Sequence, residues 1–390
     1  MKAGLLGRKL GHSLSPQIHR FFGDYEYRLY EKEPEEVERF LRVGFADGDF
    51  DFLNVTIPYK QTVFELCDEL SPMAQKLGNV NFVMRTADGK LRGDNTDAFG
   101  VGRLLEANGI DVRGWNCAIL GAGGAAMTVK AVLEERGAKR VTFVRRGEEP
   151  AQDDDLIVNA TPVGMFPDVD GVRIDISRYA ACKAVLDLVY NPSPTRLVRE
   201  ALACGKIAAD GMMMLIAQAY RAFLLSNSTT QPLKHSNNLF LYGPPASGKS
   251  TWAKRIAAAT GWVLVDLDAE IVKAEGRSIP EIFAAEGEKG FREIEKKCLS
   301  SVCGDETSPP PGVCPGQVVA LGGGALLDPE SRKLAEAAGR VVVMDCAIET
   351  LKARLTGGDR PLSADAAKLE ALVKSRAAHY ASFPNHVEMV

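Results

Sequence analysis

Gly243-Pro-Pro-Ala-Ser-Gly-Lys-Ser250 has the spacing GxxxxGK[ST] and lies between an apolar run, Leu239–Tyr242, and a stretch with helical periodicity, Ser250–Ala259. Glycines at these points let backbone N–H groups turn inward around phosphate oxygens, and the helix that follows presents its positive end to them. Lys249 is then the cation for the terminal phosphates and Ser250 a hydroxyl ligand of Mg2+. Gly243, Ala246, Ser247, Gly248 and Thr251 complete the cradle for a nucleoside triphosphate. Downstream, Val265-Asp-Leu-Asp268 closes an apolar run with two carboxylates on alternate residues. As strand positions Asp266 and Asp268 share a face, so one can join the Mg2+ shell and the other hold a substrate hydroxyl.

A second glycine run, Gly121-Ala-Gly-Gly-Ala-Ala126, follows the apolar stretch Asn116–Leu120 and opens a helical one. Its GxGxxA form, over Gly121, Ala122, Gly123, Gly124 and Ala125, permits close approach of a dinucleotide pyrophosphate. The next apolar run, Val141–Val144, ends in Arg145 and Arg146, where an NAD enzyme would carry an acid. Two cations there suit the 2′-phosphate of NADP.

Both glycine runs need strands to hold them. Asn116–Leu120, Arg140–Val144, Leu156–Asn159 and Ala184–Leu188 read as buried strands, with helices over Thr128–Arg136 and Thr195–Cys204. After residue 238 the alternation returns: strands at Leu239–Tyr242, Val263–Asp266, Val318–Ala320 and Val341–Met344, and helices at Ser250–Ala259 and Arg332–Ala338. The pattern predicts α/β architecture with parallel sheets covered by helices, twice over. A polar stretch, Ser226–Asn238, separates the halves, and Gly304–Gly316, with Pro309-Pro310-Pro311, reads as an inserted loop.

The 390 residues exceed one ordinary domain. Apolar residues at 46% and charged ones at 25% are those of globular chains, and a net charge of −4 gives no global attraction to nucleic acid or an anionic membrane. No apolar run approaches the ~18–20 residues that span a bilayer, and the N-terminus lacks a signal-peptide core. The eight cysteines form no CxxC pair, which fits idle thiols in a reducing cytoplasm.

Further motifs surround the second glycine run: Gly11-His-Ser-Leu-Ser-Pro16, Asn54-Val-Thr-Ile-Pro-Tyr-Lys60, Gly93-Asp-Asn-Thr-Asp97, Asn159-Ala-Thr-Pro-Val-Gly-Met165, Asp187-Leu-Val-Tyr-Asn-Pro192 and Gly211-Met-Met-Met-Leu-Ile-Ala-Gln218. In this order they resemble shikimate dehydrogenase over about residues 3–222. The resemblance implies Lys60 and Asp97 as the catalytic pair. It places Ser13 and Ser15 on the substrate carboxylate, and Thr56, Asn81, Asp97 and Gln218 on hydroxyls. Tyr190 joins the substrate site, and Gly211 the NADPH site. An ammonium beside a carboxylate can supply the proton that a ketone takes as hydride arrives. Read alone, Lys60 is a surface lysine after a turn proline and Asp97 a helix N-cap.

The segments Gly276–Phe283, Gly287–Glu295, Leu321–Gly324, Asp359-Arg-Pro-Leu362 and Arg376–Tyr380, with the phosphate loop, resemble shikimate kinase over about residues 239–380. That resemblance implies that Asp268, Arg292, Arg376 and the Gly323–Gly324 backbone hold shikimate, and that Arg360 belongs to a lid over ATP. Guanidinium forks match carboxylate geometry, so two arginines on one carboxylate make chemical sense.

The two resemblances imply a dehydrogenase with a shikimate-binding domain (1–100) and a trimmed Rossmann-like NADP domain (101–225) whose C-terminal part returns to the substrate domain. A linker (226–238) and a P-loop kinase domain (239–390) follow. The expected activities are NADPH-dependent reduction of 3-dehydroshikimate and phosphorylation of shikimate by MgATP, in a cytoplasmic monomer or homodimer acting on small molecules. The rival reading is a shikimate kinase carrying a catalytically dead dehydrogenase-like module. A weaker one is a P-loop switch or scaffold.

Overall fold

Short apolar runs bounded by glycine, asparagine or aspartate form the strands, and the central ones are buried on both faces, as parallel sheets require. The computed structural model describes residues 1–11, 13–227, 238–304, 316–354 and 366–388. It divides into two units, Met1–His19 with Tyr25–Thr230, and Arg20–Asp24 with Gln231–Val390.

The first unit holds two sheets. One comprises β1 (Lys2–Gly7), β2 (Glu26–Glu31), β3 (Phe52–Val55), β4 (Glu69–Leu70), β5 (Phe82–Arg85) and β6 (Leu91–Asp94), in the order β2-β1-β3-β5-β6-β4. It is mixed, unlike the two sheets that the sequence outlined: β5 runs antiparallel to both β3 and β6. Only residues 86–90 join β5 to β6, too few for a helical crossover. They close a tight turn with Gly89 at φ 89° and the Thr86 hydroxyl accepting from Lys90 N at 3.1 Å.

The second sheet comprises β7 (Asn116–Leu120), β8 (Arg140–Val144), β9 (Leu156–Asn159), β10 (Ala184–Asp187) and β11 (Ile207–Ala209), all parallel, in the order β11-β10-β9-β7-β8. Strand order reverses about β7, with β8 on one side and β9 on the other, which opens a crevice beyond the strands' carboxyl ends. Helices Asp97–Ala107 and Gly124–Glu135 cover one face, burying Val101, Leu104, Leu105, Val129 and Leu133 against Ile119 and Val158. The helix Met212–Asn227 runs through Ser226, placed at the start of the linker by the sequence. Ser226 is buried there and its hydroxyl donates to Phe223 O at 2.9 Å.

The second unit has one parallel sheet: β12 (Asn238–Tyr242), β13 (Val263–Asp266), β14 (Gln317–Ala320), β15 (Gly339–Asp345) and β16 (His386–Glu388), in the order β13-β14-β12-β15-β16. The phosphate loop leaves the central β12 and leads into the helix Lys249–Thr260. One expectation changes here. β13 stops at Asp266, whose carboxylate caps the next helix by accepting from Asp268 N at 3.2 Å and Ala269 N at 3.4 Å. Asp268 therefore lies in the first helical turn, not on the strand, because an aspartate before a helical run is a good N-cap. The core of the linker, most of the proline-rich loop and Arg360 lie outside the described residues.

Candidate active sites

The turn after β3 carries Thr56, whose N–H donates to Leu6 O at 2.9 Å and so ties it to the end of β1. Tyr59 is buried and its hydroxyl donates to Lys32 O, fixing the start of the helix Lys60–Leu66. Lys60 Nζ then reaches Asp97 Oδ2 at 2.5 Å. Asp97 is 5% exposed at the start of its own helix, and two amide pairs hold that turn. Asn95 Oδ1 accepts from Asp97 N at 3.0 Å, while Asn95 Nδ2 donates to Asn79 Oδ1 at 2.6 Å. Asn81 Oδ1 accepts from Thr96 N at 2.6 Å, and its Nδ2 donates to Thr96 Oγ1 at 3.1 Å. Asn81, assigned to a substrate hydroxyl, thus also positions the turn that carries Asp97.

Ser13 and Ser15 face each other, Oγ to Oγ at 3.1 Å. Gln218 sits on the helix Met212–Asn227, which packs on the Asp97 helix so closely that a Cβ at Gly100 would lie 3.2 Å from Gln218 Cγ. Sequence reasoning passed over Tyr27 and Asn54, joined hydroxyl to amide oxygen at 2.9 Å, and His19, which stacks on Tyr27 at 4.1 Å between centroids. Burial pushes the His19 imidazole down to about 3, so it stays neutral.

The dinucleotide cleft fits the group assigned to it. Gly121 adopts φ 105°, where a Cβ would lie 2.9 Å from Thr161, so glycine is required by the protein's own packing. At Gly123 and Gly124 a Cβ would meet nothing within 4 Å. The protein itself leaves that space open, as a pyrophosphate approaching the helix N-terminus needs. Arg145 and Arg146 are exposed just beyond β8, beside the loop, since Gly121 N donates to Val144 O at 2.9 Å. A third arginine, Arg173, donates from its guanidinium to Arg145 O, a contact made by a later loop that no local motif reveals. Tyr190 is half-buried, with burial raising its phenol above the usual range. Gly211 admits no side chain, because a Cβ would lie 2.1 Å from Leu188 O.

In the second unit Ala246 stands at φ 62° and Gly248 at φ 92°, left-handed conformations that turn the phosphate loop into a nest. Ser247 and Lys249 are buried, and Lys249 Nζ donates to Gly243 O at 2.9 Å and Pro244 O at 2.6 Å, which folds the ammonium back over the loop. Ser250 Oγ donates to Asp266 Oδ2 at 2.9 Å. A hydroxyl and a carboxylate side by side at the loop's end are hard oxygen donors of the kind Mg2+ takes.

The turn Gly322–Gly324 gathers the remaining residues. A Cβ at Gly322 would lie 3.3 Å from Asp268 Oδ1 and 2.6 Å from Glu295 Oε1, and one at Gly324 would collide with the Arg292 guanidinium. Arg376 is buried and donates to Gly323 O at 3.0 Å, as does Tyr380 at 2.7 Å. Glu295, which the sequence reading did not assign, is 2% exposed, ion-paired with Arg292, and held above the usual carboxylate range by burial. Its signal was there: Arg292 and Glu295 stand i, i+3 on one helix.

A family model described as shikimate dehydrogenase substrate binding domain matches residues 5–83, and one described as shikimate kinase matches residues 245–389. The shikimate dehydrogenase (NADP(+)) of Clostridium perfringens (strain SM101 / Type A) is 33% identical over 266 residues, covering 61% of this chain and 96% of its own length. The chain belongs to the shikimate dehydrogenase family. The enzyme of that name from Methanopyrus kandleri is 37% identical over 267 residues, covering 59% of this chain and 91% of the relative. A solved shikimate 5-dehydrogenase of Thermus thermophilus, in complex with NADP(H) and shikimate, superimposes with a TM-score of 0.53 at 31% identity, covering 58% of this chain and 94% of that one. With its kinase domain, this member of the family is a bifunctional shikimate-pathway enzyme that uses NADPH and ATP.

Proposed function

We propose that the first unit reduces 3-dehydroshikimate to shikimate and that the second phosphorylates shikimate to shikimate 3-phosphate, with the roles divided as follows. NADPH supplies the hydride and MgATP the phosphoryl group. Lys60 Nζ donates the proton to the ketone oxygen, and Asp97 holds the ammonium in line and accepts from a substrate hydroxyl. Ser13 and Ser15 bind the carboxylate as neutral donors, while Thr56, Asn81 and Gln218 orient the ring. In the second unit Arg292 and Arg376 grip the carboxylate, Asp268 holds the hydroxyl that is to be phosphorylated, and Gly323 and Gly324 supply backbone. Lys249 faces the phosphates, and Ser250 and Asp266 hold the metal.

The observation that carries this reading is the 2.5 Å Lys60–Asp97 contact, built by two separate turns and braced by the Asn79–Asn95 and Asn81–Thr96 pairs. A binding module without catalysis would have no need of an ammonium so placed. The test is NADPH oxidation by the intact chain with 3-dehydroshikimate, followed by MgATP and chromatographic resolution of products. Shikimate 3-phosphate made at the expense of both nucleotides supports the reading. Phosphorylation of added shikimate with no NADPH oxidation would leave the dead-module alternative. No described helix is long and apolar enough to cross a membrane. The seven described cysteines are free, which suits a cytoplasmic enzyme.

A further inference from the structure

Asp187 ends β10 in the segment Asp187–Pro192, and the chemistry above makes no use of its carboxylate. It is 1% exposed and makes three hydrogen bonds to three different parts of the cofactor-binding lobe. Oδ1 accepts from Asn159 Nδ2 at 2.8 Å, at the end of β9, and from Val189 N at 3.0 Å, in the loop after β10. Oδ2 accepts from Thr195 Oγ1 at 2.8 Å, and Thr195 in turn caps the helix Arg196–Ala203 through Val198 N.

Each partner leads on to the cleft. Asn159 Oδ1 accepts from Thr161 Oγ1 at 2.6 Å and Thr161 N at 3.1 Å, and Thr161 is the residue packed against Gly121. Val189 O accepts from Gly211 N at 2.9 Å, beside Tyr190. We propose that Asp187 is a positioning residue of the dehydrogenase: its buried carboxylate clamps the loop after β9 to the loop after β10 and so sets the width of the NADPH cleft between Gly121 and Gly211.

A carboxylate can accept at all these points at once. A protonated one must turn a donor toward one of them, and that bond reverses or breaks. Burial pushes the Asp187 carboxyl up to about 6, against the three hydrogen bonds that favour its charge. The nearest like charge acting on it is Asp210, which is engaged with Ser193 Oγ at 2.6 Å and Met212 N at 3.0 Å. Arg196, next to Thr195, is turned to Glu200 and to Asp170 O. Asn159, Val189 and Thr195 are neutral. The clamp is therefore charged at neutral pH and neutral in mild acid.

The experiment measures NADP+ binding by calorimetry to the full chain between pH 5 and 8, for the parent, Asp187→Asn and Asp187→Ala, with near-ultraviolet circular dichroism as the folding check. At pH 7.5 the alanine variant is expected to bind about tenfold more weakly, with KM for NADPH raised and kcat at saturation less affected. The asparagine variant, which can keep Asn159 and Val189 but carries no charge, is expected to recover only part of that loss and to stay about threefold weaker than the parent. The decisive feature is convergence: below about pH 6 the parent carries a neutral group and binds as weakly as Asp187→Asn. A ratio of parent to asparagine affinity that stays constant from pH 5 to 8 overturns the proposal. So does an Asp187→Ala protein that binds NADP+ like the parent, or an Asp187→Asn protein that does not fold. The inference rests on the NADPH cleft described above; failure of that reading would show separately, as a parent that binds no NADP+.

Discussion

Ser13 and Ser15 in the first unit and Arg292 and Arg376 in the second are assigned to the same carboxylate, yet they are held in opposite ways. The two serines are neutral donors bonded to each other, and the proposed catalytic pair of the same unit is braced by amides: Asn79 to Asn95, Asn81 to Thr96. The arginines sit in a cluster of charge, Arg292 against Glu295 and both beside Asp268 and Arg376 around one glycine turn. The difference follows from what shares each site. On the proposed roles, one proton passes from Lys60 in the first, and a second cation on the substrate would compete for Asp97. In the second, the substrate anion must sit close to the polyanionic nucleotide, and fixed cations help Mg2+ to offset that repulsion. On these assignments one metabolite is bound by neutral donors in one unit and by guanidinium groups in the other, according to the chemistry it must undergo.

The largest effects should fall on one site at a time. Lys60→Ala is expected to lower reduction of 3-dehydroshikimate by about 10²–10⁴-fold while phosphorylation of added shikimate proceeds normally. Lys249→Ala should abolish shikimate 3-phosphate formation while NADPH oxidation continues and free shikimate accumulates. Initial rates of both reactions on both folded variants decide it. A Lys249→Ala protein that also lost its dehydrogenase activity would end the picture of two self-sufficient sites.

How far these sites could be read in advance depends on how local their determinants are. Most strands of the second and third sheets were legible because runs such as Ile157–Val158 and Phe240–Leu241 are buried on both faces and need no partner to be recognised, whereas the three-residue edge strands β11 and β16 were not. The direction of β5 and β6 was not, since apolar content says nothing of direction and the turn at Thr86–Lys90 sets it. Asp268 was placed on the strand but opens the next helix, because an Asp-Leu-Asp triplet suits a strand end and a capped helix equally. The braces around Asp97 were invisible, as Asn79 and Asn95 meet only once the β5–β6 hairpin forms. Arg173 reaches Arg145 from a loop 28 residues on, and no local motif records it.

The contrast between charged and neutral anchoring gives the next prediction. Arg292→Ala or Arg376→Ala should raise the shikimate KM of the kinase by about 10- to 100-fold with ATP binding nearly intact, as expected for a lost charge-assisted bond. Ser13→Ala should raise the 3-dehydroshikimate KM by only about 3- to 10-fold, the worth of a neutral hydrogen bond. Equal effects in steady-state kinetics would remove the distinction drawn between the pockets. Within the first unit, Arg145→Ala or Arg146→Ala should cost roughly tenfold in kcat/KM for NADPH and little for NADH, since only the 2′-phosphate is lost to them. A parent enzyme that uses both nucleotides equally would sink that assignment.

The smallest effect is a pH dependence hidden by cancellation in the first unit. His19 has a folded pKa of about 3 against 6.5 unfolded, so the stability it contributes is present above 6.5 and is lost as pH falls, because the unfolded chain alone takes up the proton. Asp187 has a folded pKa of about 6 against 3.8 unfolded, and its sign is opposite: the folded chain alone takes up the proton, so stability is regained as pH falls through 6. Between about pH 6 and 4 the two slopes, each near ~1.4 kcal/mol per pH unit, offset one another in the parent. Asp187→Asn removes one of them. Its unfolding free energy minus that of the parent should therefore fall by about 1.4 kcal/mol per unit on acidification through that window, and hold steady above about pH 7. Urea titrations at stepped pH, followed by hydrogen exchange of the β9 and β10 segments so that the first unit alone is read, measure the difference. A flat difference curve would mean that Asp187 is already neutral throughout or ionised throughout, and its role as a titrating clamp would be lost.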